Sequence, residues 1–314
     1  MRFLFLTSLY CFLFASNLFG NNIIISSSPL GRYVVFIDSR NKSELLIADN
    51  DSKKLLDKIN CDKFFLVWEN DSTFLLTALK NNNDTVSIFE YNINRKQKKL
   101  LSSFEKEVFI SAYQSKLFAM PHHLKNKDDC FVAYADNGKL FKYFPLKNKT
   151  TAILNLNKIL GQVDINNISI NSEGTHVLIS YINKMKSGIC DIDIVSETKK
   201  VIESGKEFAN DGNLIFYAKD ESKAVFYKYK SNNIEKQIQV IMYNLKTGKN
   251  VVLTTLHDLI PTMIIDIPYE NSLYIDIIDV RNDIEVAKSK NVLEDIFEGI
   301  IGRFTILVVD YATK

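Results

Sequence analysis

The chain has 314 residues, of which 46% are hydrophobic and 24% are charged, and its formal net charge at pH 7 is +2. A chain of this length can bury a sizeable core. The nearly balanced charge gives no electrostatic basis for binding nucleic acid, so a nucleic-acid-binding function is not expected.

The first 20 residues have the layout of a secretory signal peptide. Arg2 supplies a short positive region, Phe3 to Phe14 is mostly apolar, and Ala15 to Gly20 is small and polar. The apolar stretch is shorter than the roughly 20 residues that a membrane-spanning helix needs. We predict cleavage after Gly20 and export of residues 21–314 to the periplasm, the cell surface or the medium, with an uncleaved anchor as the alternative. No other long apolar stretch occurs, so no transmembrane segment is expected in the mature chain.

The mature chain begins with a turn followed by two strand-like runs. Pro29 and Gly31 favour a tight turn, because proline presets one dihedral angle and glycine tolerates a left-handed one. Tyr33 to Ile37 is β-branched and aromatic, which is typical of a strand buried on both faces. After a short polar connection, Glu44 to Asp49 predicts the partner strand.

Weaker copies of this order follow along the chain. They are Thr73 to Thr77 with Val86 to Tyr91, Cys130 to Tyr134 with Leu140 to Phe144, Val177 to Tyr181 with Ile189 to Val195, and Leu214 to Tyr217 with Val240 to Tyr243. Short strands that recur with a period of about 40–50 residues indicate a β-propeller. We therefore predict an all-β fold with a single β-propeller over residues 21–314, built from six blades, with seven as the alternative.

The first motif resembles a known repeat. Ser28-Pro29, Gly31, the basic Arg32 and the following aromatic and apolar run are similar to the repeat of TolB-like propellers, a WD-repeat-like class of β-propeller. The usual turn of that family is Ser-Pro-Asp-Gly, and Leu30 replaces its Asp here. The resemblance implies the propeller part alone, because we expect no separate domain before the first blade.

One segment departs from the repeated strands. Leu293, Ile296, Phe297, Ile300 and Ile301 have helical spacing within Asn291 to Gly302. The segment therefore predicts a short C-terminal amphipathic helix, packed on the last blade or used to dock a partner. Either Arg303 to Tyr311 or Asn22 to Ser26 is expected to complete the last sheet and close the ring.

His122 and His123, with Asp128 and Asp129 nearby, form the densest group of residue types that bind metals or transfer protons. Adjacent histidines on a strand point to opposite faces, so they rarely bind one metal together. Their place between a proline and a Lys-Asn-Lys run favours a surface loop, with a metal or proton-transfer role as the alternative. His176 is interpreted as a structural residue of its blade.

The cysteines allow one internal disulfide at most. Cys11 lies in the predicted signal peptide, which leaves Cys61, Cys130 and Cys190. We interpret these three as buried free thiols that act as small apolar residues. Export would permit a disulfide, and the spacing leaves that alternative open.

Arg95 to Lys99 is the one basic run, Arg-Lys-Gln-Lys-Lys. It follows the strand that ends at Tyr91, so we place it on a hairpin loop. A solvated turn is our interpretation, and a contact for an acidic partner or a lipid headgroup is the alternative.

The motifs of common catalytic sites are missing. The sequence has no Gly-x-Ser-x-Gly elbow, phosphate-binding loop or dinucleotide fingerprint. We therefore predict no catalytic, cofactor-binding or metal site, no cofactor, and a protein that is not an enzyme. The expected function is a monomeric, exported scaffold that binds a protein or peptide in the cell envelope. The alternative is a propeller lyase or lactonase that acts on a small molecule or sugar in the central channel.

Overall fold

A computed structural model describes residues 23–38, 41–52, 54–79, 84–115, 117–182, 187–205, 215–232, 235–257, 259–267, 272–279, 292–296 and 305–310. These residues form 24 strands in six four-stranded antiparallel sheets, together with two short α-helices. Within them, no helix is both long and apolar enough to span a membrane. The predicted signal peptide, residues 1–20, lies outside the described residues.

Five sheets are regular blades, in which the strands pair in chain order from the innermost to the outermost. Blade 1 contains β1 (Ile23–Ser27), β2 (Tyr33–Asp38), β3 (Asn41–Asp49) and β4 (Lys54–Asn60). Blade 2 contains β5 (Lys63–Asn70), β6 (Thr73–Leu79), β7 (Thr85–Asn92) and β8 (Gln97–Glu105). Blade 3 contains β9 (Phe118–Ala119), β10 (Val132–Asp136), β11 (Lys139–Phe144) and β12 (Lys149–Asn155).

Blade 4 contains β13 (Asp164–Ile170), β14 (His176–Ile182), β15 (Ser187–Asp193) and β16 (Thr198–Gly205). Blade 5 contains β17 (Ile215–Tyr217), β18 (Lys223–Asn232), β19 (Glu235–Asn244) and β20 (Asn250–His257). The sixth sheet contains β21 (Leu259–Ile267), β22 (Ser272–Asp279), β23 (Val292–Ile296) and β24 (Thr305–Asp310). Helix α1 (Glu107–Gln114) precedes blade 3, and α2 (Leu156–Leu160) follows it.

The sixth sheet differs from the blades. Its order is β21-β22-β24-β23, so the last described strand lies inside the sheet and β23 lies at its edge. The predicted β-propeller is confirmed, but the expectation of six or seven blades needs correction. The described strands form five regular blades and one four-stranded sheet whose last two strands are exchanged.

The expectations about the chain ends are confirmed in part. Val292–Ile296 is a strand, because its backbone pairs with β24 in an antiparallel ladder, and the predicted helix is therefore wrong over those residues. Residues 297–302 lie outside the described part of the chain. Of the two segments predicted to complete the last sheet, Thr305–Asp310 joins it as β24, whereas the segment that follows residue 22 belongs to blade 1, where β1 pairs with β2.

The core lies between neighbouring blades. Four buried apolar clusters join blade 1 to blade 2, blade 2 to blade 3, blade 3 to blade 4, and blade 4 to blade 5. Trp68 lies in the first cluster with an exposed fraction of 1%. The three cysteines are buried thiols in the described structure, as predicted, and burial raises the pKa of the Cys130 and Cys190 thiols to about 12.

Each blade repeats one irregularity in its outermost strand. One extra residue interrupts the pairing with the third strand at the same place in all five blades, and these residues are Leu56, Leu101, Ile153, Ile202 and Leu253. Such a bulge redirects the side chains of a strand. The first four bulged side chains pack into the apolar cluster between their own blade and the next.

The first turn of the blade is also repeated. Gly31 N–H donates to the Ser28 carbonyl in blade 1, and Gly174 N–H donates to the Asn171 carbonyl in blade 4. Both glycines have a left-handed conformation, which was predicted for Gly31, with φ of 83° and 68°. In blade 5 the equivalent residue is Glu221, which lies after β17. The predicted strand Leu214 to Tyr217 is therefore the first strand of its blade rather than the second.

Candidate functional site

The loops between the first and second strands of the five blades lie at one end of the ring, which we call the upper end. They comprise residues 28–32, 71–72, 120–131, 171–175 and 218–222. The opposite end, where second strands turn into third strands, is the lower end. Because the first strands are the innermost ones, the upper loops surround the mouth of the central channel.

The longest upper loop leaves blade 3 and contacts blade 2. Leu124 N–H donates to the Trp68 carbonyl over 2.6 Å. The Met120 sulfur lies 3.2 Å from the backbone nitrogen of Leu66, which donates to it. Residues 120–124, which we call the crossing segment, are therefore anchored on one side of the channel.

The crossing segment is also bound to blades 4 and 5. His123 Nδ1 lies 3.1 Å from the Ser172 hydroxyl oxygen of blade 4. His122 Nε2 donates to the backbone carbonyl of Tyr217 in blade 5. Blade 4 separates blade 3 from blade 5, so this second contact reaches past a neighbouring blade. The crossing segment consequently spans the upper end of the channel.

Further hydrogen bonds tie the upper ends together. Lys219 Nζ of blade 5 donates to the Ser27 carbonyl of blade 1 over 2.9 Å, although the two residues are 192 positions apart in the sequence. The backbone N–H of Ser172 donates to a carboxylate oxygen of Glu221. Trp68 Nε1 donates to the Ser26 hydroxyl over 2.9 Å. The upper end is thus a network that links all five blades.

The surroundings of His122 keep its ring neutral. Burial, the nearby Lys219 cation and His123 lower the pKa of His122 to about 3, against the opposing effect of the Tyr217 carbonyl. Since Nε2 is the donor to that carbonyl, the neutral ring carries its proton on Nε2. His122 therefore serves as an uncharged hydrogen-bond donor near neutral pH.

A second polar group lies between blades 4 and 5. The Tyr217 hydroxyl donates to Asp191 Oδ1 over 2.7 Å, and the pKa of Tyr217 is well above its usual value because of burial and this carboxylate. His176 Nδ1 lies 3.4 Å from Asp191 Oδ2. The pairing supports the interpretation of His176 as a structural residue.

The structure separates the predicted histidine and aspartate group. Both histidines lie in an upper loop, as predicted, and His122 is half-buried there and bound to blade 5. Asp128 and Asp129 are exposed in a short 3₁₀ helix, where Asp129 lies 3.6 Å from the amine of Lys147. Among the residues that the structure describes, no three His, Cys, Asp or Glu side chains lie close enough to hold a metal ion.

Sequence reasoning missed Tyr217, Lys219 and Glu221 as partners at the upper end. Their loop was not recognised as the equivalent of residues 28–32, because the left-handed position is occupied by a glutamate instead of a glycine. The two turns are recognised as equivalent only in the structure, where Glu221 N–H donates to the Ala218 carbonyl as Gly31 N–H does to the Ser28 carbonyl.

No protein-family model and no curated protein matches this sequence. Solved structures with a similar fold include hydrazine synthase from Kuenenia stuttgartiensis, which is 13% identical with a TM-score of 0.51 over 93% of this chain and 87% of that one. TolB from Acinetobacter baumannii is 11% identical with a TM-score of 0.46, over 92% of this chain and 63% of the TolB chain.

The β-propeller domain of Cps50 (Swd1) from Myceliophteria thermophila is 10% identical with a TM-score of 0.45, over 92% of this chain and 96% of that domain. The propeller classes that the first sequence motif predicted, TolB and WD-repeat, are thus among the similar structures. At these identities the likeness is one of fold alone.

Proposed function

We propose that this protein is an exported, non-catalytic β-propeller that binds a protein or peptide partner in the cell envelope through its upper end. The observation that carries the proposal is the crossing segment, residues 120–124, which is hydrogen-bonded to blades 2, 4 and 5. With this segment over the channel mouth, a partner meets a surface built from the loops of several blades.

The chemistry of the upper loops suits a protein interface. Leu30 is 58% exposed at the tip of its loop, and its backbone N–H donates to the Asp71 side chain of the neighbouring blade. Lys125 and Glu173 form an exposed ion pair between blades 3 and 4. A protein-binding surface usually combines an apolar centre with a polar rim.

Affinity capture from the cell envelope tests this proposal. The wild-type protein is expected to recover a reproducible protein partner under mild crosslinking. The double variant Leu30→Arg/Glu173→Arg is expected to lose that partner, because it places two large cations on the proposed surface. The matched control Ser103→Arg/Asp164→Arg makes the same change of charge at exposed positions of the lower end and is expected to retain it.

Recovery of the same partner by both double variants would contradict the assignment to the upper end. Failure to recover any reproducible partner with the wild-type protein would contradict the binding function itself.

Export is tested separately by the mass of the protein in each cell fraction. We expect the envelope or secreted fraction to contain a chain that begins at Asn21, following the cleavage site predicted from the sequence. Leu6→Arg interrupts the apolar region of the leader and is expected to leave the full-length chain in the cytosol. Full-length wild-type protein confined to the cytosol would refute export.

A further inference from the structure

One short sequence pattern, two lysines followed by two apolar residues, recurs around the start of the outermost strand in several blades. It occurs as Lys-Lys-Leu-Leu at residues 53–56, Lys-Lys-Leu-Leu at 98–101 and Lys-Lys-Val-Ile at 199–202. Blade 5 has the related Lys-Asn-Val-Val-Leu at 249–253. The pattern follows the turn between the third and fourth strands, and these turns also lie at the upper end.

The last apolar residue of each pattern is the bulged one, which is directed into the protein. The apolar residue before it is exposed in three blades: Leu100 by 56%, Val201 by 47% and Val252 by 43%. Two further valines of blades 4 and 5 are exposed near them, Val195 by 81% and Val251 by 41%. The core therefore does not require these side chains to be apolar.

Positive charge is concentrated in the same turns. The five segments 50–55, 93–99, 145–151, 194–200 and 245–251, which we call the outer turns, contain twelve Lys or Arg and two acidic residues in the sequence. The whole chain has a net charge of only +2, so the rest of it is negative overall. The positive charge is thus concentrated in one repeated kind of turn and separated from the remainder of the sequence.

The outer turns of blades 4 and 5 form one continuous patch. Lys200 Nζ donates to the Leu245 carbonyl at the start of the blade 5 turn, which holds the two turns together. Glu197 is the one acidic residue of these two turns, and its carboxylate is paired with Lys158 Nζ over 2.5 Å. The patch therefore presents exposed lysines and valines with its single carboxylate already neutralised.

Protection of the sheet edge explains only part of this arrangement. Lysines on outermost strands discourage pairing with another chain. Exposed leucine and valine beside them would have the opposite effect, because an apolar exposed edge favours association. A role that uses both kinds of side chain accounts for the pattern better.

We propose that the outer turns, above all the patch of blades 4 and 5, dock the protein onto the surface of an anionic lipid bilayer. Lysines near an anionic membrane contribute attraction to the headgroups, while neighbouring apolar side chains enter the interfacial region. Eleven of the twelve basic residues are lysines, which act as flexible point charges rather than as bidentate readers of one ligand. A soluble polyanion would use the lysines but not the valines, so the lipid surface fits the patch better.

Vesicle cosedimentation of the processed protein tests the proposal. We expect binding to vesicles that contain phosphatidylglycerol and not to vesicles of phosphatidylcholine alone. Lys199→Gln/Lys249→Gln is expected to weaken binding about thirty-fold, from the loss of two cations near the surface. Val195→Ser/Val251→Ser is expected to weaken it without changing its salt dependence. The matched control Lys63→Gln/Lys139→Gln, at the lower end, is expected to bind as the wild type does.

Three results would overturn the proposal. They are equal binding to both kinds of vesicle, equal weakening by the lower-end control, and binding to heparin without binding to either vesicle. The last result would assign the outer turns to a soluble polyanion. This experiment does not depend on the proposed protein partner, because loss of lipid binding leaves the capture experiment at residues 30 and 173 unaffected.

Discussion

His122 differs from an ordinary surface histidine in that its ring is held neutral. Its folded-state pKa is about 3, below the usual unfolded value near 6.5. Between these two pH values the unfolded chain binds more protons at this residue than the folded chain does. The contribution of His122 to stability is therefore complete above pH 6.5 and is lost as pH falls toward 3.

We predict that the free energy of unfolding falls with decreasing pH in that window, by up to about 1.4 kcal/mol per pH unit from this residue alone. Denaturant unfolding at several pH values measures it. His122→Gln keeps an N–H donor but does not titrate, so its unfolding free energy is expected to change less over the same range. An identical pH profile for the two proteins would contradict the assigned environment of His122.

A glycine is required at position 174 because the backbone there is left-handed and because the neighbouring side chains leave no room for a Cβ atom. Its φ is 68°, and a Cβ at this position would lie 2.8 Å from the ring of Phe131 and against Lys142 Nζ. We predict that Gly174→Ala lowers the free energy of unfolding by about 2–4 kcal/mol. Gly248→Ala is the control, because its φ is 72° but its nearest neighbour would be 3.5 Å away. The free energy of unfolding is expected to fall by about 1 kcal/mol in Gly248→Ala.

Equal losses for the two alanine variants would show that contact with blade 3 contributes nothing at Gly174. Thermal or chemical denaturation of the purified proteins measures the difference.

At the scale of single residues, the sequence predicted what local chemistry determines. The left-handed conformation of Gly31 is predicted correctly, because it depends only on the residues of its own turn, 28–32. The contact of His122 with Tyr217 could not be predicted, because the two residues are 95 positions apart and meet only when three blades are assembled.

At the scale of elements, the bulge in the outermost strand determines which apolar residue packs between blades. Ile202 packs into the cluster that joins blades 4 and 5, whereas Val201 beside it is 47% exposed. We predict that Ile202→Ala lowers the free energy of unfolding by about 2 kcal/mol. Val201→Ala is expected to change it by less than about 0.5 kcal/mol. A larger loss for Val201→Ala than for Ile202→Ala would contradict the inward direction that the bulge gives to Ile202.

The repeated bulge also shows where sequence analysis could have gone further. The Lys-Lys-apolar-apolar pattern occurs at residues 53–56, 98–101 and 199–202. It is as good an indicator of the outermost strand as the glycine turn is of the second strand. The predicted helix near the C-terminus failed for a different reason. Apolar residues spaced by three and four also suit a short strand, and pairing of β23 with β24 decided the outcome.

At the scale of the molecule, strand spacing was sufficient to predict a β-propeller but not its blade count. Each regular blade is a local run of four strands, so its pattern is visible in a short stretch of sequence. The exchanged order of β23 and β24 depends on which strand pairs with β22, and spacing does not encode that choice. The closure of the upper end likewise depends on contacts between separate blades.

The upper end, spanned by residues 120–124, is the surface that we propose to meet a partner. Site-specific photocrosslinking in cells tests it most directly, with a photoreactive amino acid replacing Leu30 at the upper end or Asp164 at the lower end. We predict a discrete crosslinked protein from position 30 and none from position 164. The same crosslinked protein from position 164, with none from position 30, would contradict partner binding at the upper end.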